Sequence, residues 1–253
     1  MAIASISLTT DAIAQLEESD TTRWQFNSNL SLRLNTGNVQ RLIITPEANV
    51  AHIDSHKSWG FSARQRYTYG TFGTIRTEND LLSRNFIYHA PERRVYPYLM
   101  VWFQTHARQK LRFRYQIGPG VTVVPLKRNL HIIKLSLTGT YERNWYHEAG
   151  LEYIKDKTIK SYGVVRATTR IFGSHALAKD FVSFYYEFLF QQAFDNKENW
   201  RIFTECGINT KIVNGFSMRS YFNLEYQQVH VYSEKPNDLI FNMGINYKVS
   251  TKE

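Results

Sequence analysis

The sequence predicts an all-β chain, an up-and-down antiparallel transmembrane β-barrel of about twelve strands. Three observations carry that expectation. Apolar and polar residues alternate with period 2 over nearly everything after Trp24, and no long segment holds a 3.6 period. Most of these runs extend about 12 to 15 residues, whereas strands of soluble proteins average ~5–6. The links between them are hairpin-sized, with no crossover helix. At ~3.3 Å per residue a strand of ~13 residues extends ~43 Å, and rises ~33 Å when tilted by ~40°. That height covers the ~25 Å apolar band of an outer-membrane barrel plus its aromatic girdles.

The runs follow in order. Residues 24–35 set Trp24, Phe26, Leu30, Leu32 and Leu34 against Gln25, Asn27, Asn29, Ser31 and Arg33, and "TGN" at 36–38 turns the chain. Residues 40–53 present Leu42, Ile44, Ala48 and Val50. Residues 57–69 place Trp59, Phe61, Ala63, Tyr67 and Tyr69 opposite Ser62, Arg64, Arg66 and Thr68. The pattern continues over 78–89, 95–103, 110–123, 130–144, 159–172, 181–193, 200–213, 216–232 and 239–249. In "KLRFRYQIGPGVTVV" (110–124), Leu111, Phe113, Tyr115 and Ile117 are expected to face acyl chains, and Arg112, Arg114 and Gln116 the lumen. Gly118 and Gly120 there leave inward room for a neighbour or for water.

Tight links at 91–94, 126–129 and Asn214-Gly215 alternate with longer ones at 70–77, 104–109, 145–158, 194–199 and 233–238. With the first strand running outward, the tight links face the periplasm and the long ones the exterior, as in outer-membrane barrels. "TGN" and the link at 173–180 depart from that asymmetry. Aromatics gather near strand ends at Trp24, Trp59, Tyr69, Tyr88, Tyr96, Trp145, Tyr146, Trp200, Phe216, Tyr232 and Tyr247, which suits the headgroup level.

Bulk properties bound the rest. The 253 residues read as a lead-in at 1–22, an export-signal remnant or a flexible segment, followed by a single barrel domain at 23–253. The 31 Lys and Arg against 22 Asp and Glu give +9, a charge that attracts phosphate in lipid headgroups or lipopolysaccharide. Cys206 is the single cysteine, so neither an intrachain disulfide nor a thiolate metal cluster can form. No apolar run approaches the ~18 residues of a membrane-spanning helix.

The chain's end supplies a more specific pattern. "NMGINYKV" places Asn242, Gly244, Tyr247 and Val249 at the spacing polar-x-Gly-x-x-aromatic-x-apolar. It resembles the C-terminal β-signal read by the outer-membrane barrel-assembly machinery. "LNTGNVQRL", "RFRYQIGPGVTVVP" and "LSLTGTYERNWY" resemble the YdiY-like family of salt-stress-induced outer-membrane barrels, itself of uncharacterised function. The resemblance covers roughly residues 24–150. It implies a barrel in the bacterial outer membrane and supplies no catalytic residues.

Candidate chemistry is sparse. Aromatics interleaved with arginines also occur in single-strand nucleic-acid binders, but alternation sends the two residue types to opposite faces, so no nucleic-acid partner is expected. "HIDSHKS" brings His52, Asp54, Ser55 and His56 close in sequence. It reads as a polar turn in preference to a hydrolase pair or a weak metal site. No hydrolase or zinc motif is present, so neither an enzymatic activity nor a cofactor is expected. The polar face remains. Arginine at the lipid midplane costs ~2–4 kcal/mol, so Arg64, Arg66, Arg112, Arg114, Arg201 and Arg219 are expected to line the lumen as an anion contact. Two functions follow: a structural or accessory envelope barrel that associates with envelope proteins, or a narrow anion-preferring pore. A soluble ligand-binding barrel, with its apolar faces inward, is a further alternative.

Overall fold

The computed structural model describes residues 24–35, 40–128, 131–154, 156–178 and 181–251. The lead-in at 1–22, "TGN" and the end of "LKRN" lie outside them. Twelve strands form one closed antiparallel barrel in sequence order, with β1 joined to β12. They are β1 (Trp24–Asn35), β2 (Arg41–Ile53), β3 (Trp59–Phe72), β4 (Ile75–His89), β5 (Val95–His106) and β6 (Leu111–Arg128). The second half holds β7 (His131–Tyr146), β8 (Ser161–Leu177), β9 (Val182–Ala193), β10 (Trp200–Val213), β11 (Phe216–Gln227) and β12 (Asn237–Thr251). Every expected run is a strand.

The boundaries move for local reasons. The link expected at 70–77 shrinks to Gly73 and Thr74 because Gly73 takes φ +58, so β3 and β4 pair almost to the tip. β8 likewise continues through most of the link expected at 173–180. β11 stops at Gln227, short of the expected 232, and the chain from 228 to 236 becomes a loop. Asn214-Gly215 is a two-residue turn, with Gly215 at φ +81 where a Cβ would be strained. β2, β4, β6, β8 and β10 thus end at one rim, the turn end. The longer segments at 107–110, 147–154, 156–160, 194–199 and 228–236 share the other, the loop end.

Alternation sorts the side chains into wall and lining. Leu30, Leu32, Leu34, Leu137 and Ile208 are exposed on the outside, while Asn27, Asn29, Ser31, Thr138 and Asn209 are buried inside. This is the reverse of what a soluble ligand-binding barrel requires. Trp59 and Tyr69, ten residues apart on β3, both lie exposed on the outer wall. Their separation is ~33 Å along the strand and ~25 Å in height at ~40° tilt, the thickness of an outer-membrane apolar band. Three aromatics expected in such a girdle turn inward instead. Tyr88, Tyr96 and Tyr146 are 0%, 0% and 3% exposed. Tyr88 stands opposite Gly60 and its ring fills the place a Cβ would take there, 2.1 Å from the ring edge.

Leu137, on the outer wall near the middle of β7, gives the first test. Leu137→Arg is expected to destabilise the barrel by ~2–4 kcal/mol in a bilayer, measured by urea titration of the folded fraction in vesicles. An unchanged midpoint would mean that this face does not meet hydrocarbon.

Candidate functional site: the lumen and its two ends

Three ion-paired clusters bridge strands within the lumen. In the first, Arg64 and Arg66 from β3 and Arg219 from β11 share Glu47 from β2 and Glu205 from β10. Arg64 Nη2 lies 3.0 Å from Glu47 Oε2 and 2.9 Å from Glu205 Oε1. Arg219 bridges the same two carboxylates at 2.8 and 2.6 Å and donates to the Tyr185 hydroxyl at 2.7 Å. In the second, Arg84 from β4 and Arg170 from β8 meet on Glu187 from β9, at 2.8 and 2.5 Å. In the third, Glu142 from β7 takes Arg166 from β8 at 3.3 Å, Arg201 from β10, and Arg114 from β6 at 3.9 Å.

Aromatic faces pack on these cations. Arg84 sits 4.6 Å from Trp102 and 4.3 Å from Phe203, Arg170 lies 3.8 Å from Phe172, and Arg219 lies 4.5 Å from Tyr221. All eight arginines and the four glutamates that hold them are buried. Except for Arg84, their positions follow from alternation: each stands on the more polar register of its strand.

The two ends differ. Toward the turn end the lumen is filled by Phe86, Tyr88, Tyr96, Tyr98, Met100, Trp102, Val124, Ile132, Phe172 and Leu189. Gly120 makes room for the Tyr98 ring, and Gly118 lets β6 approach the backbone of β7. The room expected at these two glycines is therefore taken by neighbours. Toward the loop end, residues 147–154 fold against residues 228–236. Leu151 bridges Val231, and both pack with Leu111, Tyr146 and Val229. Asn196 donates to the Tyr153 carbonyl at 3.0 Å, tying in the link after β9. At the exposed tip, the hydroxyl and backbone N–H of Thr158 hold the Asp156 carboxyl below its ordinary range. A cavity of about 310 Å³ remains beside this cap, lined by β1–β5 and β10–β12.

Five of the expected lumenal arginines, Arg64, Arg66, Arg114, Arg201 and Arg219, lie in this interior, each held by a carboxylate. Arg112 does not join them. The β6–β7 register slips between Leu111↔Tyr146 and Phe113↔Trp145. Arg112 is the extra residue, exposed outside, while Leu111 turns inward at 1% exposure. Arg166, Glu187 and Glu205, which alternation also places on the lumenal face, join the five lumenal arginines, and Glu47, Glu142, Arg84 and Arg170, which the sequence does not single out, complete the clusters. Glu47 was legible, because it alternates with the named apolar residues of β2. Arg84 stands in a run of mixed polarity, Glu78 to Phe86, whose period does not declare a face.

The terminal pattern is split between faces. Asn242 points to the cavity, Gly244 opposes Ser31 of β1, and Tyr247 packs outside against Phe216 at 4.6 Å. Val249 pairs with Phe26. "HIDSHKS" is a strand end and turn: His52 stacks on Trp24 at 4.1 Å, and Asp54 accepts the Trp59 N–H at 3.0 Å. Among the described residues no group of His, Cys, Asp or Glu is placed to hold a metal ion.

A closed antiparallel barrel with an apolar wall and an ion-paired interior is an outer-membrane β-barrel. Among solved structures it is similar to the translocator domain of the autotransporter NalP from Neisseria meningitidis, with a TM-score of 0.51 and 10% identity, covering 89% of this chain and 88% of that one. The chain belongs to the family described as protein of unknown function, DUF481, whose model matches residues 28–249. It is also similar to the NanC porin (TM-score 0.49, 8% identity, 90% and 100% covered). A third similar structure is the COG4313 outer membrane channel from Pseudomonas putida F1 (TM-score 0.48, 10% identity, 96% and 98% covered). No curated protein matches the sequence.

Proposed function

We propose that this protein is a non-enzymatic barrel of the bacterial outer membrane whose lumen is a structural core, and that it serves as an accessory component of the envelope. One observation carries the reading. Arg64 and Arg66 reach Glu205, and Arg219 reaches Glu47, from non-adjacent strands across the lumen, so the lattice occupies the axis a solute would follow. The aromatic filling toward the turn end supports it. In this reading the tight turns face the periplasm, and the +9 charge favours contact with lipopolysaccharide phosphates and envelope partners. Asn242, Gly244, Tyr247 and Val249 serve as the signal to the assembly machinery. The finer likeness to the YdiY-like salt-stress barrels rests on the three quoted motifs.

Planar-bilayer recording tests the proposal. The folded barrel is expected to be silent, and discrete channel steps would overturn it. The second reading, a narrow anion-preferring pore, is favoured by the arginine surplus, eight guanidinium groups against the four carboxylates that pair with them. If steps appear, exchanging Arg64, Arg66 and Arg114 for Glu should invert the ion preference, and unchanged selectivity would exclude those residues from the path.

A further inference from the structure

The ladder that closes the barrel is incomplete toward the loop end. β1 and β12 pair from Trp24↔Thr251 to Ser31↔Gly244 and then part. Both strands continue. β1 stays paired with β2 as far as Asn35↔Arg41, and β12 with β11 as far as Tyr226↔Asn237. Extending the register would set Leu32, Arg33, Leu34 and Asn35 against Met243, Asn242, Phe241 and Ile240, yet no such pair forms among the described residues. The β4–β5 ladder is equally short, but there β5 itself ends at His106. The gap at β1–β12 opens between two strands that are both present.

Backbone groups unpaired at membrane depth are costly unless they line a polar cavity or find a side-chain partner. Both conditions hold here. Arg33 reaches across the gap, and its Nη2 donates to the Phe241 carbonyl. Behind the gap lies the 310 Å³ cavity, lined at the seam by Arg33, Ile240 and Asn242. The cavity's carboxylates have donors of their own: Glu78 holds Arg41, Asp238 holds Arg108 at 2.6 Å, Glu225 accepts from Gln104 at 3.3 Å, and Asp80 accepts the Ala107 N–H at 2.6 Å. Among the described residues Arg33 has no carboxylate partner within ion-pair distance. Outside, the rim is hydrocarbon, with Leu32, Leu34, Leu239, Phe241 and Met243 all exposed. A polar chamber whose cation at the seam is Arg33 therefore opens sideways onto an apolar wall.

We propose that the parted β1–β12 seam is a lateral binding site for an anionic amphiphile. The head group enters the cavity and pairs with Arg33, taking the place of the Phe241 carbonyl. The tail leaves between the strands and lies on Leu32, Leu34, Phe241 and Met243. Charge and shape favour this occupant over an added β-strand, which would satisfy the two edges but leave the inward-facing Arg33 and its cavity unused.

Dodecyl phosphate is the probe, titrated into the full-length barrel in non-ionic detergent and followed by native mass spectrometry. One bound molecule per barrel is expected. Arg33→Gln should weaken binding by about tenfold or more, as loss of a charge-assisted contact does, and Arg33→Lys should restore most of it. Inorganic phosphate should not compete, because it lacks the tail; equal competition would show a free-anion site and overturn the lateral route. A disulfide between Leu32→Cys and Met243→Cys, in a Cys206→Ser background, would extend the ladder by one pair. It is expected to block binding until reduced. Binding unchanged by Arg33→Gln, or by the closed disulfide, overturns the proposal. So does a covalent dimer formed in vesicles by Leu34→Cys in the same background, which would mark the seam as a strand-pairing edge. Heat-modifiable gel migration confirms that each variant is folded, and the Arg33 series decides the matter if the disulfide variant is not.

Discussion

Glu205→Gln is expected to destabilise the folded barrel by about 3–5 kcal/mol, the range for removing one partner from a buried ion pair. Glu205 receives Arg64, Arg66 and Arg219, at 2.9, 2.5 and 2.6 Å, and is 1% exposed. With it neutralised, three guanidinium groups from β3 and β11 are left to Glu47 alone. Mutual repulsion then adds to the desolvation that no carboxylate offsets. The effect is read as a fall in the urea midpoint for unfolding from phospholipid vesicles. Glu92→Gln is the control, because its pair with Lys57 at the turn end is 40–47% exposed. Such pairs contribute ~0–1 kcal/mol. Equal midpoints for the two variants would mean that the lumenal lattice is not what holds β3 and β11 to the opposite wall.

Gly118→Ala is the second large effect. A Cβ at Gly118 would stand 1.9 Å from the Gly139 carbonyl oxygen, and it is backbone that it meets. No rotamer change relieves such a clash, so β6 and β7 must separate. A loss of ~1–3 kcal/mol or more is expected, together with lower folding yield. Gly139→Ala is the contrast, since a Cβ there meets nothing within 4 Å. It should be neutral, with any gain coming from reduced freedom of the unfolded chain. The two glycines are neighbours across the β6–β7 pair, so opposite outcomes would isolate the contact from strand propensity. A mild Gly118→Ala would mean that the strands are farther apart there than the structure places them.

These residues also mark what the sequence makes legible. A strand of period 2 declares which residues share a face, and the contrast between Leu30–Leu32–Leu34 and Asn27–Asn29–Ser31 made the wall and the lining readable. Alternation does not declare partners across a lumen. Glu47 and Arg219 are 172 positions apart, and no local pattern joins them. Nor does it foresee a bulge: one extra residue at Arg112 reverses the facing of Leu111 and Arg112, while Phe113 to Val123 keep their register and a second slip follows between Val123 and Leu126. The inward aromatics failed for a related reason. Tyr88 lies near a strand end, as girdle residues do, but it faces a glycine on the adjacent strand, Gly60. Packing over that gap outweighs placement at the headgroup level. The ion-pair lattice was therefore visible as a set of arginines and invisible as a network.

The incomplete seam has a consequence for how the barrel comes together. Every other ladder joins strands adjacent in sequence, so its closure spans only the link between them, at smaller loop entropy. The β1–β12 ladder joins Trp24 to Thr251, so its closure spans nearly the whole chain. It must be the last contact to form, and with eight register pairs it gains little when it does. The same junction should be the first to open in native-state hydrogen exchange, with the amides of Phe26 to Ser31 releasing before those of β7. In kinetic terms the molecule is a sheet that finishes as a cylinder.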